Sequence, residues 1–476
     1  MKKTTILLVL LLASMTGCSD DPAPKNTDTL ADAQSGDDAD SPDASTDTSD
    51  PSDAATDSGA DSGADTGSDT GQTDAGTDDP LACPALPASD GGTEVRIGPD
   101  RAGELPQLVR EAAPGTTFLL EDGTYKPGSH MHFKADGVTF RSVSNDATKV
   151  IIDGEYNVTE PFYITASDVT IAHITVKRAI DHPVHVTPGG GSENVTGTLL
   201  YGLRIIDGGE QFVKVNPNGD DSAFVDDGRI ECSYFEMTDQ GRPNVERNPG
   251  GCYTGGVDVH SSQGWVVRNN EFHGIYCVDE GLAEHAIHFW SASRDTVVEN
   301  NLIVNCARGI GFGLVENGQD RQYADNPYPN AGYIGHYDGI IRNNVIYADN
   351  ASMDTGIELA QARGAKVYHN TILATDGATK FYSSIDYRFS NTDVDIRNNL
   401  VNRITRRNDA QGQVENNSEE IAAGLFVDAA NFDFHLRDDA SVAIDKGVTV
   451  EESGIDIDGE THDKGAAPDL GADEAR

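Results

Sequence analysis

The sequence contains the stretch Trp265-Val-Val-Arg-Asn-Asn270 and four variations of it farther along the chain. The variations are Thr296-Val-Val-Glu-Asn-Asn301, Gly339-Ile-Ile-Arg-Asn-Asn344, Lys366-Val-Tyr-His-Asn370 and Val394-Asp-Ile-Arg-Asn-Asn399. Each is a short run rich in β-branched residues that ends at asparagine, a residue that tolerates left-handed backbone and can bond its own turn. The last asparagines recur at intervals of about 25–45 residues, which is the repeat length of solenoid proteins.

The repeat predicts a coil of short parallel strands. Several short strands per repeat and no helical periodicity describe a solenoid, in which successive asparagines stack at one corner and satisfy one another. A β-sandwich with repeated turn residues is the alternative. It is disfavoured because a sandwich has no reason to repeat the same phrase along the chain.

The start of the folded region predicts a cap for this coil. Residues 102–113 have helical apolar spacing, at Leu105, Leu108, Val109 and Ala112. Residues 114–125 have the pattern of a strand and a turn, and a solenoid needs a cover over its first open core layer. Together with residues 138–142 and 150–154, this stretch resembles the pectin-lyase-like superfamily, over roughly 95–445. The resemblance implies an all-β, single-stranded right-handed parallel β-helix with an N-terminal capping helix.

Composition divides the rest of the chain. Residues 19–82 contain eighteen Asp, no Glu and one Lys, so they cannot bury enough surface to fold, and we expect a disordered, self-repelling tether. The predicted β-helix follows over 83–445, with an acidic tail or cap over 446–476. The formal net charge of −45 argues against a nucleic-acid partner, since no basic field is present to replace counterions. We expect a monomer.

The N-terminus has the features of an export signal. Lys2 and Lys3 precede an apolar run from Ile6 to Leu12, which is too short to span a bilayer. The small residues before Cys18 resemble a bacterial lipobox, which implies a signal peptide over 1–18, lipidation of Cys18 and a membrane-anchored protein of the cell envelope. An ordinary signal peptide with a chance cysteine is the alternative.

The remaining cysteines would meet an oxidising compartment after export, where disulfides persist. There are five of them, so at least one stays unpaired. Cys252 and Cys277 flank the strand around Asp258, and we predict that they pair.

A second set of short strands, with strict alternation, lies between the asparagine phrases. Alternate side chains of a strand face opposite sides, so apolar residues facing inward leave a polar column facing outward. This column contains Lys214, Asp258, His288, Gly311, Glu358 and Asp386. A neighbouring column contains Asn216, His260, Trp290, Gly313, Ala360 and Arg388. We predict a groove here that takes a polysaccharide along the coil axis, although a merely solvated polar face is the alternative.

Asp258-Val-His260 resembles the Asp-x-His element of mannuronan C5-epimerase catalytic modules, which implies removal of the C5 proton of a uronate. The family element is longer, and Gly255 and Val259 stand here where it has tyrosine and proline. We predict Asp258, His260 and His288 as catalytic residues, because proton abstraction needs a base beside a cation. Substrate binding is assigned to Lys214, Trp290, Glu358, Asp386 and Arg388. Departure of the leaving group makes a lyase, and return of the proton makes an epimerase.

Two other functions stay open. A glycoside hydrolase needs paired carboxylates, and Glu358 and Asp386 are neighbours in the outward column. A surface glycan-binding adhesin would instead use Trp290 and Tyr387 as stacking platforms. Calcium is a possible cofactor, either as the cation in the groove or at Asp456, Asp458 and Asp463, although an ordinary acidic loop explains these three residues as well.

Cys18→Ala tests the predicted lipid anchor. The variant should leave the membrane fraction and appear in the soluble one, because the acyl chains on this cysteine would be its attachment. Fractionation of cells followed by immunoblotting measures the change. A variant that stays in the membrane fraction as the parent does would place the anchor elsewhere.

Overall fold

The computed structural model describes residues 83–87, 92–245, 247–248, 251–278, 281–314 and 321–475. The predicted signal peptide with Cys18, and the predicted tether over 19–82, lie outside these residues. Within the described ranges, no helix is long and apolar enough to cross a membrane.

The described chain winds into a right-handed coil built from three long parallel sheets. Sheet 1 contains Glu94–Ile97, Thr117–Leu120, Thr139–Ser142, Thr170–Ala172, Leu199–Tyr201, Arg229–Glu231, Val266–Arg268, Ser293–Arg294, Val297–Glu299, His336–Tyr337, Ile340–Arg342, Ala362–Tyr368, Asp393–Arg397 and Gln411–Glu415. Sheet 2 contains Gly123–Tyr125, Val150–Asp153, Thr175–Lys177, Arg204–Ile206, Tyr234–Glu236, Glu271–His273, Leu302–Val304, Val345–Ala348, Thr371–Ala374 and Leu400–Val401. Sheet 3 contains Met131–Phe133, Phe162–Ile164, Val184–Val186, Gln211–Val215, Gly255–His260, His285–Trp290, Arg308–Phe312, Thr355–Ala360, Ser383–Arg388 and Ile404–Arg407.

Short elements complete the fold. Three two-stranded pairs are formed by Val195–Thr196 with Val225–Asp226, Arg247–Asn248 with Gly251–Cys252, and Phe426–Asp428 with Asp433–Leu436. The helical segments are Pro99–Glu104, Leu105–Arg110, Arg242–Asn244, Ala423–Leu425 and Ala429–Asn431. Of these, Leu105–Arg110 is an α-helix and the others are 3-10 turns. The fold is therefore all-β with an N-terminal capping helix, as the sequence predicted.

The asparagine phrases form the corner between sheets 1 and 2. The first residue of each final pair has left-handed backbone, as at Asn269, Asn300 and Asn343. The second residue stacks on its equivalent in the next turn, so that each side-chain amide donates to the following side-chain oxygen at 2.9–3.0 Å. The stacked residues are Asn270, Asn301, Asn344, Asn370, Asn399 and Asn417. We call this row the asparagine ladder.

The interior of the coil is apolar on all three sheets. On sheet 3 the inward positions Val257, Ile287, Ile310 and Ile357 are fully buried, and each stacks on the next from turn to turn. Burying a side chain of this size contributes about 1.5–3 kcal/mol. The inward faces therefore hold the coil together, and the outward face of sheet 3 is left for polar residues.

The C-terminal segment packs against the outer side of sheet 2. Phe426, Phe434 and Leu470 belong to one buried cluster with Val304 and Leu373, whose side chains point away from the coil interior. Backbone carbonyls of the segment also accept hydrogen bonds from Asn300 and Asn343. The tail is thus attached along several turns of the coil.

Two disulfides are present among the described residues. Cys252 pairs with Cys277, as predicted, and Cys83 pairs with Cys232 across a sequence separation of 149 residues. Cys306 is buried and forms no disulfide with a described residue. The segment before the first strand is therefore attached by a disulfide to the middle of the coil.

Asn344→Ala tests the asparagine ladder. The side chain is fully buried, and its loss would leave polar groups of Asn301 and Asn370 without their partner. Each unpaired buried group costs about 1–3 kcal/mol, so we expect the free energy of unfolding to fall by about 2–4 kcal/mol. Urea unfolding measures this change.

Asn417→Ala is the matched control at the end of the same ladder. Asn417 is half-buried, so water can replace its hydrogen bonds, and the loss should be about 1 kcal/mol or less. Equal losses in the two variants would contradict a role for burial in the ladder.

Candidate functional site on sheet 3

The outward column predicted from strand alternation is present on sheet 3. Strands pair in parallel so that Lys214 lies beside Asp258, and Asp258 lies beside His288. The column continues through Gly311, Glu358 and Asp386. The neighbouring column includes the adjacent pairs His260 with Trp290 and Ala360 with Arg388. The predicted register is confirmed for these rungs.

The centre of the column is a connected group that we call the Asp258 cluster: Lys214, Asp258, His260, His288 and Trp290. The Lys214 ammonium donates to Asp258 Oδ2 and lies 3.0 Å from His260 Nε2. The same carboxylate oxygen lies 3.0 Å from His260 Nε2, and Asp258 Oδ1 accepts the indole N–H of Trp290 at 2.8 Å. Nδ1 of His288 is 3.7 Å from Asp258 Oδ1. One carboxylate therefore orients a lysine, an imidazole and an indole.

Burial and charge together set the protonation states in this cluster. Burial opposes the charge of Lys214, but the Asp258 carboxylate raises the pKa of this lysine above its ordinary value. Burial would raise the pKa of Asp258, but Lys214 and His260 hold it well below its usual range. Burial and the Lys214 ammonium lower the pKa of His260. The cluster thus contains an ammonium, a carboxylate and a neutral imidazole.

The predicted groove is largely closed over these side chains. Asp258, His288 and Trp290 are 4%, 2% and 7% exposed, and the side chains of His260 and Arg388 are 11% and 19% exposed. The Trp290 ring lies against His288 at 5.6 Å between centroids, in nearly parallel planes. Its centroid is 4.3 Å from that of His260. Trp290 therefore supports the two imidazoles rather than presenting an open face.

Tyr387, the second predicted stacking platform, is part of the coil core. Its neighbours in the strand, Asp386 and Arg388, face outward in the two columns. A tyrosine between two outward residues of a strand faces inward because side chains alternate. Neither aromatic residue that we assigned to an adhesin surface is therefore open to a glycan ring.

Glu284, His285 and Arg308 adjoin the column, although strand alternation does not place them there. His288 faces outward, so strict alternation along the strand would make His285 face inward. However, Ala286 and Ile287 are consecutive residues that both lie in the core. This irregularity returns His285 to the outer face, where its ring centroid is 4.3 Å from that of His288. A Cβ at Gly311 would lie 2.7 Å from His285 Nε2, so the imidazole fills the space that this glycine leaves. Gly311, a glycine within a column of large side chains, was the feature of the sequence that could have indicated a neighbouring side chain here.

Glu358 and Asp386 are engaged by arginines. Arg388 donates to Glu358 at 2.5 Å, and Arg407 donates to both oxygens of Asp386 at 2.9 and 2.6 Å. Burial raises the pKa of Asp386, whereas Arg308 and Arg388 outweigh burial and lower the pKa of Glu358. The two carboxylates are 2% and 0% exposed. They are held as buried ion pairs, which is unfavourable for an acid and base that must reach a sugar.

The column also extends toward the N-terminus, in a region that we call the upstream stripe: His132, Tyr163 and His185. Successive ring centroids are 4.7 and 5.4 Å apart. All three side chains are half-buried, so they are more accessible than most of the Asp258 cluster. Burial and Lys134 lower the pKa of His132 to about 4, so its ring is neutral. The stripe joins the Asp258 cluster because His185 pairs with Lys214.

The predicted calcium ligands of the tail use their carboxylates separately. Both oxygens of Asp456 accept backbone N–H groups, from Asp458 and Glu460 on one side and from Glu474 on the other. Asp463 accepts the hydroxyl of Thr461. Among the described residues, the groups with metal-ligand spacing are Glu284 with His285 and His288, and Asp458 with His435 and Asp473.

No protein-family model matches the sequence, and no curated protein matches it significantly. Solved structures do match. Pectate lyase Pel9A superposes with a TM-score of 0.52 at 15% identity, over 78% of this chain and 90% of that chain. The surface protein and adhesin PfbA of Streptococcus pneumoniae gives a TM-score of 0.38 at 13% identity, over 67% of this chain and 91% of that chain.

These identities are low, so the similarity to Pel9A is evidence for the fold. The parallel register of all three sheets and the stacked turns agree with it. The chain has the pectin-lyase-like right-handed parallel β-helix fold.

Proposed function

We propose that this chain modifies a uronate-containing polysaccharide by removing the C5 proton of a uronate residue, as a lyase or a C5-epimerase. The observation that carries the proposal is the Asp258 cluster, in which a neutral imidazole contacts both an ammonium and a carboxylate. Proton abstraction next to a carboxylate requires this combination of a base and a positive charge.

His260 is the base in this proposal. When Nε2 carries the proton and donates it to Asp258, the lone pair is on Nδ1, so Asp258 sets both the tautomer and the ring orientation. The side chain of His260 is 11% exposed, against 2% for His288, so His260 is the more accessible of the two imidazoles. A C5 proton taken by Nδ1 would leave an imidazolium beside the Asp258 carboxylate, which stabilises it.

Lys214 supplies the positive charge. Its ammonium has three donors, and one of them is directed to Asp258. Another can contact the uronate carboxylate, where negative charge develops as the C5 proton leaves. His288 and Trp290 position Asp258 and His260 through the contacts described above.

Two outcomes follow from the same carbanion. If the electron pair forms the C4–C5 double bond and the C4–O bond breaks, the glycosidic oxygen leaves and takes a proton, which is elimination. If a proton returns to C5 from the opposite face, the product is the epimer and no bond of the chain is broken. The Asp258 cluster is consistent with both reactions.

The upstream stripe is the proposed path of the polymer. Its rings continue the column at successive rungs, which are about 4.8 Å apart, so a chain lying along the coil axis can contact them in order. Half-buried rings with hydrogen-bonding groups beside them suit sugars. Glu160, which binds His185 at 2.7 Å, is one such group.

Export and attachment to the cell envelope through Cys18 remain part of the proposal. The two disulfides support an oxidising compartment, since such bonds are rare in the cytosol. The hydrolase and adhesin alternatives have less support. Glu358 and Asp386 are each paired with an arginine, and Trp290 is buried.

His260→Gln tests the base. We expect turnover on the parent's substrate to fall by about 10²–10⁴, because the amide cannot accept the proton, while the melting temperature stays near that of the parent. Alginate and pectate are incubated with each protein in D₂O. Ultraviolet absorbance then detects unsaturated products, and NMR detects deuterium at C5.

His435→Gln is the control, since His435 lies in the tail and should retain full activity. Full turnover by His260→Gln would reject His260 as the base. New reducing ends without unsaturation or deuterium at C5 would favour the hydrolase instead.

The pH dependence of kcat/KM provides a second test. Burial and Lys214 lower the pKa of His260, so the imidazole stays neutral below the ordinary histidine value of about 6.5. Activity should therefore persist as the pH falls through about 6.5 and should decline only at lower pH. An acidic limb centred above that value would contradict a neutral, buried base.

A further inference from the structure

A group of three side chains lies at the start of the strand His285–Trp290. Only one of the three, His288, has a role in the proposed proton abstraction. Glu284, His285 and His288 each direct one ligand atom toward the others, and these three atoms all lie within 4.8 Å of one another. The group adjoins the Asp258 cluster and shares His288 with it.

His285 is the anomalous member. It is 1% exposed, and among the described residues neither of its ring nitrogens has a hydrogen-bond partner. The nearest carboxylate oxygen on the column, Glu358 Oε2, is 4.0 Å from Nε2, which is too far for a hydrogen bond. Buried polar groups without partners are rare because each costs free energy. A ligand bound to one of these ring nitrogens would offset that cost.

The other two members are placed to share that ligand. His288 uses Nε2 to contact the Gly313 carbonyl at 3.1 Å, which leaves Nδ1 to accept an ion. A metal-binding histidine typically donates its other ring N–H to a carbonyl or carboxylate in this way. The Glu284 carboxylate is 3.9 Å from the Arg308 guanidinium, beyond hydrogen-bond distance for that pair.

We propose that Glu284, His285 and His288 bind a divalent transition-metal ion of the zinc type. Two imidazole nitrogens and one carboxylate are a common ligand set for zinc, whereas calcium selects oxygen ligands. The side chain of Glu284 is 15% exposed, more than those of the two histidines, and the ion enters on its side. The site does not depend on the proposed polysaccharide activity.

The position of the site gives it a consequence for chemistry on sheet 3. A cation held by His288 lies one strand away from Asp258, so it adds positive charge where a substrate carboxylate would be bound beside Lys214. Metal binding can be measured without any substrate. Its outcome is therefore separable from the outcome for the proposed function.

The experiment uses the full chain after treatment with a chelator and desalting. Titration calorimetry with Zn²⁺ and with Ca²⁺ measures affinity, and visible absorption after addition of Co²⁺ detects nitrogen ligation. The variants are His285→Gln and Glu284→Gln, and His182→Gln is the matched control. His182 is also a buried histidine of the sheet 3 side, but its ring contacts the Gln211 carbonyl and Glu210.

We expect the parent and His182→Gln to bind one Zn²⁺ at this site and to melt at a higher temperature with zinc present. His285→Gln and Glu284→Gln should lose at least about 100-fold in affinity, because removing a ligand costs more than the 10–100-fold loss seen when only the partner of a ligand is removed. Cys18 is present in every protein, so zinc bound there does not contribute to the difference. His285 is buried, so the His285→Gln variant can fail to fold. In that case the zinc affinity of Glu284→Gln, at a more accessible residue, tests the site.

Equal zinc affinity in the parent and Glu284→Gln would overturn the site, as would calcium binding without zinc binding. Loss of affinity in His182→Gln as well would also overturn it, because the effect would not be local. Zinc binding in a protein that alters no glycan would support the metal site and reject the proposed function. Activity on a uronate polysaccharide in a protein that binds no zinc would support the proposed function and reject the metal site.

Discussion

The hydrogen bonding of each turn of the coil to the next is the constraint on which the rest of the structure depends. Parallel pairing holds equivalent residues of successive turns about 4.8 Å apart, so any residue type that recurs in the sequence becomes a column in space. At the corner between sheets 1 and 2 the recurring residue is asparagine, and the buried amides satisfy one another. On the inner faces the recurring residues are valine, isoleucine and phenylalanine, and they form the core.

The same spacing has an electrostatic consequence on the outer face of sheet 3. Charged residues in one column are forced together, and burial makes each unpaired charge costly. In the structure each acid of the column is paired with a base: Asp258 with Lys214 of the same column, and Glu358 and Asp386 with Arg388 and Arg407 of the neighbouring column. Buried ion pairs are seldom more stable than apolar packing of the same volume. The charged column is therefore weak evidence for a contribution to stability.

Much of this arrangement was predictable because it depends on short-range rules. Alternation within strands and the recurring asparagines were enough to predict a coil of parallel strands and the register from Lys214 to Asp386. Its right-handed β-helix form was implied by the resemblance to the pectin-lyase-like superfamily, and the pairing of Cys252 with Cys277 followed from their positions on either side of one strand. His285 was missed because two consecutive inward residues interrupt the alternation. The pairing of Cys83 with Cys232 was missed because it joins positions far apart in sequence, for which no local pattern exists.

The sequence by itself determined which residues share a column, since the period of a strand and the repeat of the coil are local properties of the chain. Only the tertiary structure decided how accessible those residues are. The exposure of Asp258 or Trp290 depends on segments from other parts of the chain, and so do the pKa of His260 and the lack of partners for His285. Burial and desolvation are sums over everything nearby in space, and no strand carries that information in its own pattern.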